Sequence, residues 1–84
     1  MNAIYFDTLA QTVDAAVAEA DQRGAVLARP TEAWALAQDH LACGLYRRGD
    51  FQLAEFRGKP TKKYYHVVIY RLDSGRYELT AYVL

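Results

Sequence analysis

The chain has 84 residues, 52% of them hydrophobic and 13% aromatic, with ten Lys and Arg balancing ten Asp and Glu. That length holds one domain, residues 1–84, and the hydrophobic content excludes a disordered chain, which needs low hydrophobicity and high net charge. One cysteine cannot close an internal disulfide, and no apolar run reaches the ~18 residues of a membrane span, so the expected setting is the cytosol with the fold carried by a core.

Ile4-Tyr5-Phe6 is a short apolar run that suits either a strand or the packed lead-in to a helix. Leu9, Val13, Ala16, Val17 and Ala20 then recur with the 3.6-residue period of an amphipathic helix, predicted over residues 8–23. Thr8 with Gln11 three residues on forms a capping box, and Arg23 followed by Gly24 suits the C-terminus. Pro30-Thr31-Glu32 has the chemistry of a second helix start, predicted over residues 31–42, with Trp34 and Leu41 inward and Gly44 at its end. A strand is expected over residues 50–57, with an irregularity at Ala54-Glu55 where the alternation of Phe51, Leu53 and Phe56 slips.

Tyr64 to Leu72 and Tyr77 to Leu84 are rich in Tyr, Val, Ile and Leu, and Asp73-Ser74-Gly75-Arg76 between them reads as a hairpin turn. With Ser74-Gly75 as a two-residue loop, the register opposes Arg71 with Glu78, a favourable cross-strand charge pair. The elements together predict an α+β, two-layer domain: two N-terminal helices packed on a three-stranded antiparallel sheet. In that register Tyr64, His66, Val68, Tyr70, Leu72, Tyr77, Leu79, Ala81 and Val83 floor the helices. Tyr65, Val67, Ile69, Arg71, Glu78, Thr80, Tyr82 and Leu84 face outward, a face too apolar to be meant only for water, which is covered either by the first six residues or the connector of residues 25–29, or by a partner or second copy.

The neutral total hides an asymmetry, because residues 1–42 carry six acids and two Arg while residues 43–84 carry eight bases and four acids. Arg57, Lys59, Lys62 and Lys63 gather at one hairpin end beside Tyr64 and Tyr65, with Arg47-Arg48 expected to add to it. Bases neutralise phosphates and aromatics stack on unpaired bases, so single-stranded nucleic acid is one partner this end could take. Catalysis has less support. His40 and Cys43 could sit together on a helix, yet no orienting group or oxyanion site accompanies them, and Ser74, the sole serine, lacks a nucleophile elbow. One Cys and two His so far apart give no metal-ligand spacing, and no cofactor pattern occurs.

In Gly58-Lys59-Pro60-Thr61-Lys62-Lys63, His66-Val67-Val68-Ile69-Tyr70-Arg71 and Ser74-Gly75-Arg76-Tyr77-Glu78-Leu79, the C-terminal third resembles small uncharacterised proteins carried by phages and plasmids of proteobacteria. Some such proteins are anti-CRISPRs or other inhibitors of host defence, so the resemblance implies a non-enzymatic inhibitor that occupies a host protein surface. Under that reading the partner-binding residues are Tyr65, Val67, Ile69 and Tyr82 with the rim Arg57, Lys59, Lys62 and Lys63, and the chain is a monomer or a homodimer through the same face. The alternative is a nucleic-acid-binding accessory protein that uses the basic rim.

Overall fold

A computed structural model describes residues 3–27, 38–58 and 62–84. The elements run β1 (Ile4–Phe6), α1 (Leu9–Gln22), β2 (Val26–Leu27), a second helix α2 described over residues 38–42, β3 (Arg48–Phe56), β4 (Lys63–Arg71) and β5 (Tyr77–Val83). The start expected for α2 and the inward placement of Trp34 lie outside the described residues. Among the described residues no helix is long and apolar enough to cross a membrane.

Local chemistry forms α1. The Thr8 hydroxyl accepts from the Gln11 N–H at 3.1 Å while the Gln11 side chain accepts from the Thr8 N–H at 3.3 Å, which satisfies two donors that the first helical turn would leave unpaired. At the other end Arg23 caps the helix and Gly24 turns left-handed at φ +78°. The buried face is Thr12, Ala16 and Ala20, four residues apart, with Leu9 and Val13 half-buried beside them. Thr12 is accommodated because its hydroxyl donates to the Thr8 carbonyl at 2.8 Å. Side chains this small let the helix lie close on the sheet, where it contacts all five strands.

The described sheet has five antiparallel strands in the order β1-β5-β4-β3-β2, which corrects the expected three. β1 pairs Ile4 with Leu79 and Phe6 with Tyr77, and β2 pairs Val26 with Glu55 and Leu27 with Ala54. The helices are not both N-terminal to the sheet: α1 follows β1, and α2 lies between β2 and β3. Strands of two or three residues are too short for an alternation to be read, and they exist because a neighbouring edge supplies their hydrogen bonds.

The β4–β5 hairpin forms as expected, but its register differs by one residue. Leu72 N–H donates to the Arg76 carbonyl at 2.8 Å and Gly75 N–H to the Leu72 carbonyl at 2.9 Å, with Gly75 at φ +86°. The loop is therefore the three residues Asp73-Ser74-Gly75, a type I turn followed by a left-handed glycine. Arg71 stands opposite Tyr77, and Glu78 opposite Tyr70. Because side chains alternate with period two, this single step turns the whole of β4 over relative to β5.

Tyr65, Val67 and Ile69 consequently face the helices together with Tyr77, Leu79 and Ala81, while Tyr64, His66, Val68 and Tyr70 face away. Arg71 and Glu78 lie on opposite faces. Reversing both charges, Arg71→Glu with Glu78→Arg, is thus expected to show no coupling beyond about 0.5 kcal/mol in a double-mutant cycle read by urea unfolding. Recovery of stability in the double variant would require the two-residue loop instead.

β3 carries a bulge between Gln52 and Ala54, one residue before the expected irregularity, so that Leu53 and Ala54 are both buried. The core is one cluster in which Ala16 and Ala20 of α1, Leu41 of α2 and Tyr65, Val67, Ile69 and Leu79 of the sheet join.

Candidate functional site on the open sheet face

The face turned away from the helices holds a polar, aromatic surface centred on β4. Register places Arg48 beside Tyr70, Asp50 beside Val68 and Thr80, and Gln52 beside His66 and Tyr82. His66 and Tyr82, direct cross-strand partners, stack with ring centroids 4.8 Å apart and planes 5° from parallel. The Tyr82 hydroxyl donates to Asp50 Oδ1 at 3.1 Å. Arg48 reaches Asp50 through Nη2 at 3.3 Å, donates from Nε to the Tyr70 hydroxyl at 3.1 Å, and lies 5.7 Å from the centroid of that ring.

One chain of contacts thus spans three strands, from Tyr82 on β5 through Asp50 and Arg48 on β3 to Tyr70 on β4. Beneath it Val68 is buried, although it belongs to the open face. Tyr70 and Tyr82 remain 38% and 41% exposed, enough for contact with another molecule. Partial burial of the Tyr82 ring, and then its hydrogen bond to Asp50 and that carboxylate's charge, raise the Tyr82 pKa above the ordinary phenol value. A raised value keeps the hydroxyl protonated and donating throughout the neutral range.

The structure separates the expected contact residues. Tyr65, Val67 and Ile69 are 1%, 0% and 0% exposed, so they belong to the core and not to a docking surface; the slipped register is the reason. Tyr65 packs edge-on against Phe56 at 6.4 Å with the Arg23 guanidinium 6.0 Å from its ring, and its hydroxyl is buried with no partner among the described residues. Its pKa is raised, chiefly by burial. Tyr82 alone of the four apolar candidates lies on the open face. Of the rim, Arg57, Lys62 and Lys63 are exposed at the β3–β4 end, beside Tyr64, while Lys59 lies outside the described residues.

Arg47 and Arg48 do not join that rim. β3 runs antiparallel to β4, so its first residues lie at the far end of the hairpin, against Tyr70 and Arg71. His66, expected beneath the helices, stacks on Tyr82 in the open. The Cys43 thiol is exposed and contacts the His40 carbonyl at 3.5 Å, whereas the His40 ring packs edge-on against Tyr46 at 4.6 Å, so no thiol–imidazole pair forms. Ser74 accepts from the Arg76 N–H at 3.3 Å within the turn. Among the described residues no group of three His, Cys, Asp or Glu is placed to hold a metal ion.

Of the residues on this surface, only Asp50 carries no expectation from the sequence; Arg48, His66 and Tyr70 are expected elsewhere. For His66 and Tyr70 the signal is Gly75, left-handed at the third position of Asp73-Ser74-Gly75, which sets the parity of β4 against β5, whereas Arg48 and Asp50 join them through the β3–β4 register, which no local pattern marks. Comparison of the chain with protein-family models, curated proteins and solved structures finds no match.

Proposed function

We propose that the chain is a non-catalytic protein-binding module that docks through the open sheet face, acting in a host cytosol as an inhibitor that sterically blocks a defence complex. The observation that carries the docking reading is the preformed Tyr82–Asp50–Arg48–Tyr70 chain on an exposed face. Tyr and Arg are the side chains that dominate protein interfaces, since each combines a large apolar area with a polar tip. Their mutual contacts hold them in place before binding, which reduces the entropy lost on association. The inhibitor role rests on the resemblance of the C-terminal third to phage and plasmid proteins.

The same geometry favours protein over single-stranded nucleic acid. Bases stack on free aromatic faces, but His66 and Tyr82 stack on each other and Arg48 lies against Tyr70. Asp50, in the middle of the surface, repels phosphate. Arg57, Lys62 and Lys63 serve as a rim that steers an acidic partner and mainly affects the association rate.

Capture of host proteins on the tagged chain, quantified against folded variants, tests this. Tyr82 is exposed, so Tyr82→Ala keeps the fold by circular dichroism. It is expected to weaken capture of the specific partner at least ~30-fold, as loss of a hot spot does. Lys62→Glu with Lys63→Glu is expected to slow association several-fold and leave dissociation nearly unchanged. Undiminished capture by Tyr82→Ala, or capture that nuclease abolishes and that falls log-linearly with salt, would replace this reading with the nucleic-acid one.

A further inference from the structure

Two arginines oppose each other at the other end of the sheet, on its helix-facing side. The Arg71 N–H donates to the Arg47 carbonyl at 2.8 Å, one step beyond the Arg48–Tyr70 pair, so the two guanidinium-bearing residues are direct cross-strand neighbours. Like charges in that position destabilise a sheet unless an anion lies between them. Asp73 supplies one to Arg47, through Nη1 and Oδ1 at 2.9 Å. That pair is 80% and 89% exposed, and pairs so exposed hold their partners weakly.

Arg71 is held differently. It is half-buried, and no carboxylate among the described residues pairs with it. Its Nη1 lies where a side chain on residue 44 would be: a Cβ added to Gly44 would stand 2.5 Å from it, and Gly44 itself is at φ +81°. A glycine there serves the left-handed turn after α2 and leaves room for the Arg71 guanidinium beside it. Gly44, Arg47, Arg71, Leu72, Asp73 and Gly75 line a half-open pocket of about 210 Å³, ample for a small hydrated anion.

We propose that this pocket binds a phosphate group, with the half-buried Arg71 as its floor and Arg47 as an arm that moves from Asp73 onto the ligand. A carboxylate offers two oxygens in one plane and occupies one guanidinium fork. A phosphate offers at least three oxygens in tetrahedral array and can accept from both. The site is independent of the docking face, because Arg47 and Arg71 lie on the other side of the sheet from Tyr82.

Inorganic phosphate and phenyl phosphate, titrated into the ¹⁵N-labelled chain at constant ionic strength, test the site by NMR. Saturable shifts are expected at the Gly44, Asp73 and Gly75 amides and at the Arg47 and Arg71 side-chain Nε–H, in the millimolar range of a small exposed anion site. Tighter binding of phenyl phosphate would identify an ester as the source, and equal binding the free ion; both support the proposal. Asp73→Asn frees Arg47 and is expected to tighten binding about two- to fivefold. Arg47→Gln, at an exposed position that leaves the fold intact, is expected to weaken it about tenfold, Arg71→Gln to abolish it, and Tyr82→Ala to leave it unchanged. Shifts that chloride reproduces, that fail to saturate, that centre on Lys62 and Lys63, that keep their parental affinity in Arg47→Gln, or that persist in Arg71→Gln would overturn the proposal.

Discussion

Ile69→Glu is expected to unfold the protein at neutral pH. Ile69 is 0% exposed, sits on β4 between Gly49 of β3 and Leu79 of β5, and belongs to the one core cluster. Truncation alone, as Ile69→Ala, removes a buried branched side chain and leaves a cavity, at a cost of about 2–5 kcal/mol. Domains of this size have about 5–15 kcal/mol in total, so that loss is already a large part. An ionised carboxyl at the same place adds desolvation with no partner to offset it.

The pH dependence identifies the cause. Burial raises the folded-state pKa of the introduced carboxyl above its unfolded value of ~4.3. The folded chain then holds a proton that the unfolded chain releases, so the variant's stability relative to the parent is highest below about pH 4 and falls as pH rises through the folded-state pKa. Urea unfolding of the parent, Ile69→Ala and Ile69→Glu at pH 4 and pH 7 measures this. A folded Ile69→Glu with parental stability at pH 7 would place Ile69 on the open face, as a two-residue hairpin loop would have it.

Gly49→Ala is expected to destabilise by about 1–3 kcal/mol, against the usual sign for a glycine inside a strand. Glycine costs backbone entropy, and its replacement by alanine ordinarily gains about 0.5–1 kcal/mol. Here the ring of Phe51, two residues along the same face, folds back over Gly49, where an added Cβ would coincide with the ring edge and press on Leu41 Cδ1 at 3.2 Å. The aromatic covers the glycine, so the side chain missing from residue 49 is supplied by residue 51. Phe51→Ala should therefore remove the penalty: in that background Gly49→Ala is expected to be neutral or stabilising, a coupling of at least ~1 kcal/mol in a thermal-unfolding cycle. Simple additivity would show that the Phe51 ring does not rest there.

What the sequence alone determined is what neighbours along the chain decide. The capping box of Thr8 and Gln11, the period of α1, the left-handed stop at Gly24 and the two long strands either side of Asp73-Ser74-Gly75 all follow from residues within a few positions of each other. The tertiary structure decided the rest. Val26-Leu27 and Ile4-Tyr5-Phe6 carry no period of their own, and they become strands because β3 and β5 present unpaired edges to them. The face of β4 depended on whether its loop has two residues or three, a difference of one peptide unit that exchanges Tyr65, Val67 and Ile69 with Tyr64, His66, Val68 and Tyr70. Both sets are apolar and aromatic enough to line a core, so composition could not choose between them. Packing did, because only one of the two faces of a β4 paired as observed meets Ala16 and Ala20 of α1, and a strand that alternates with period two must commit all its side chains at once.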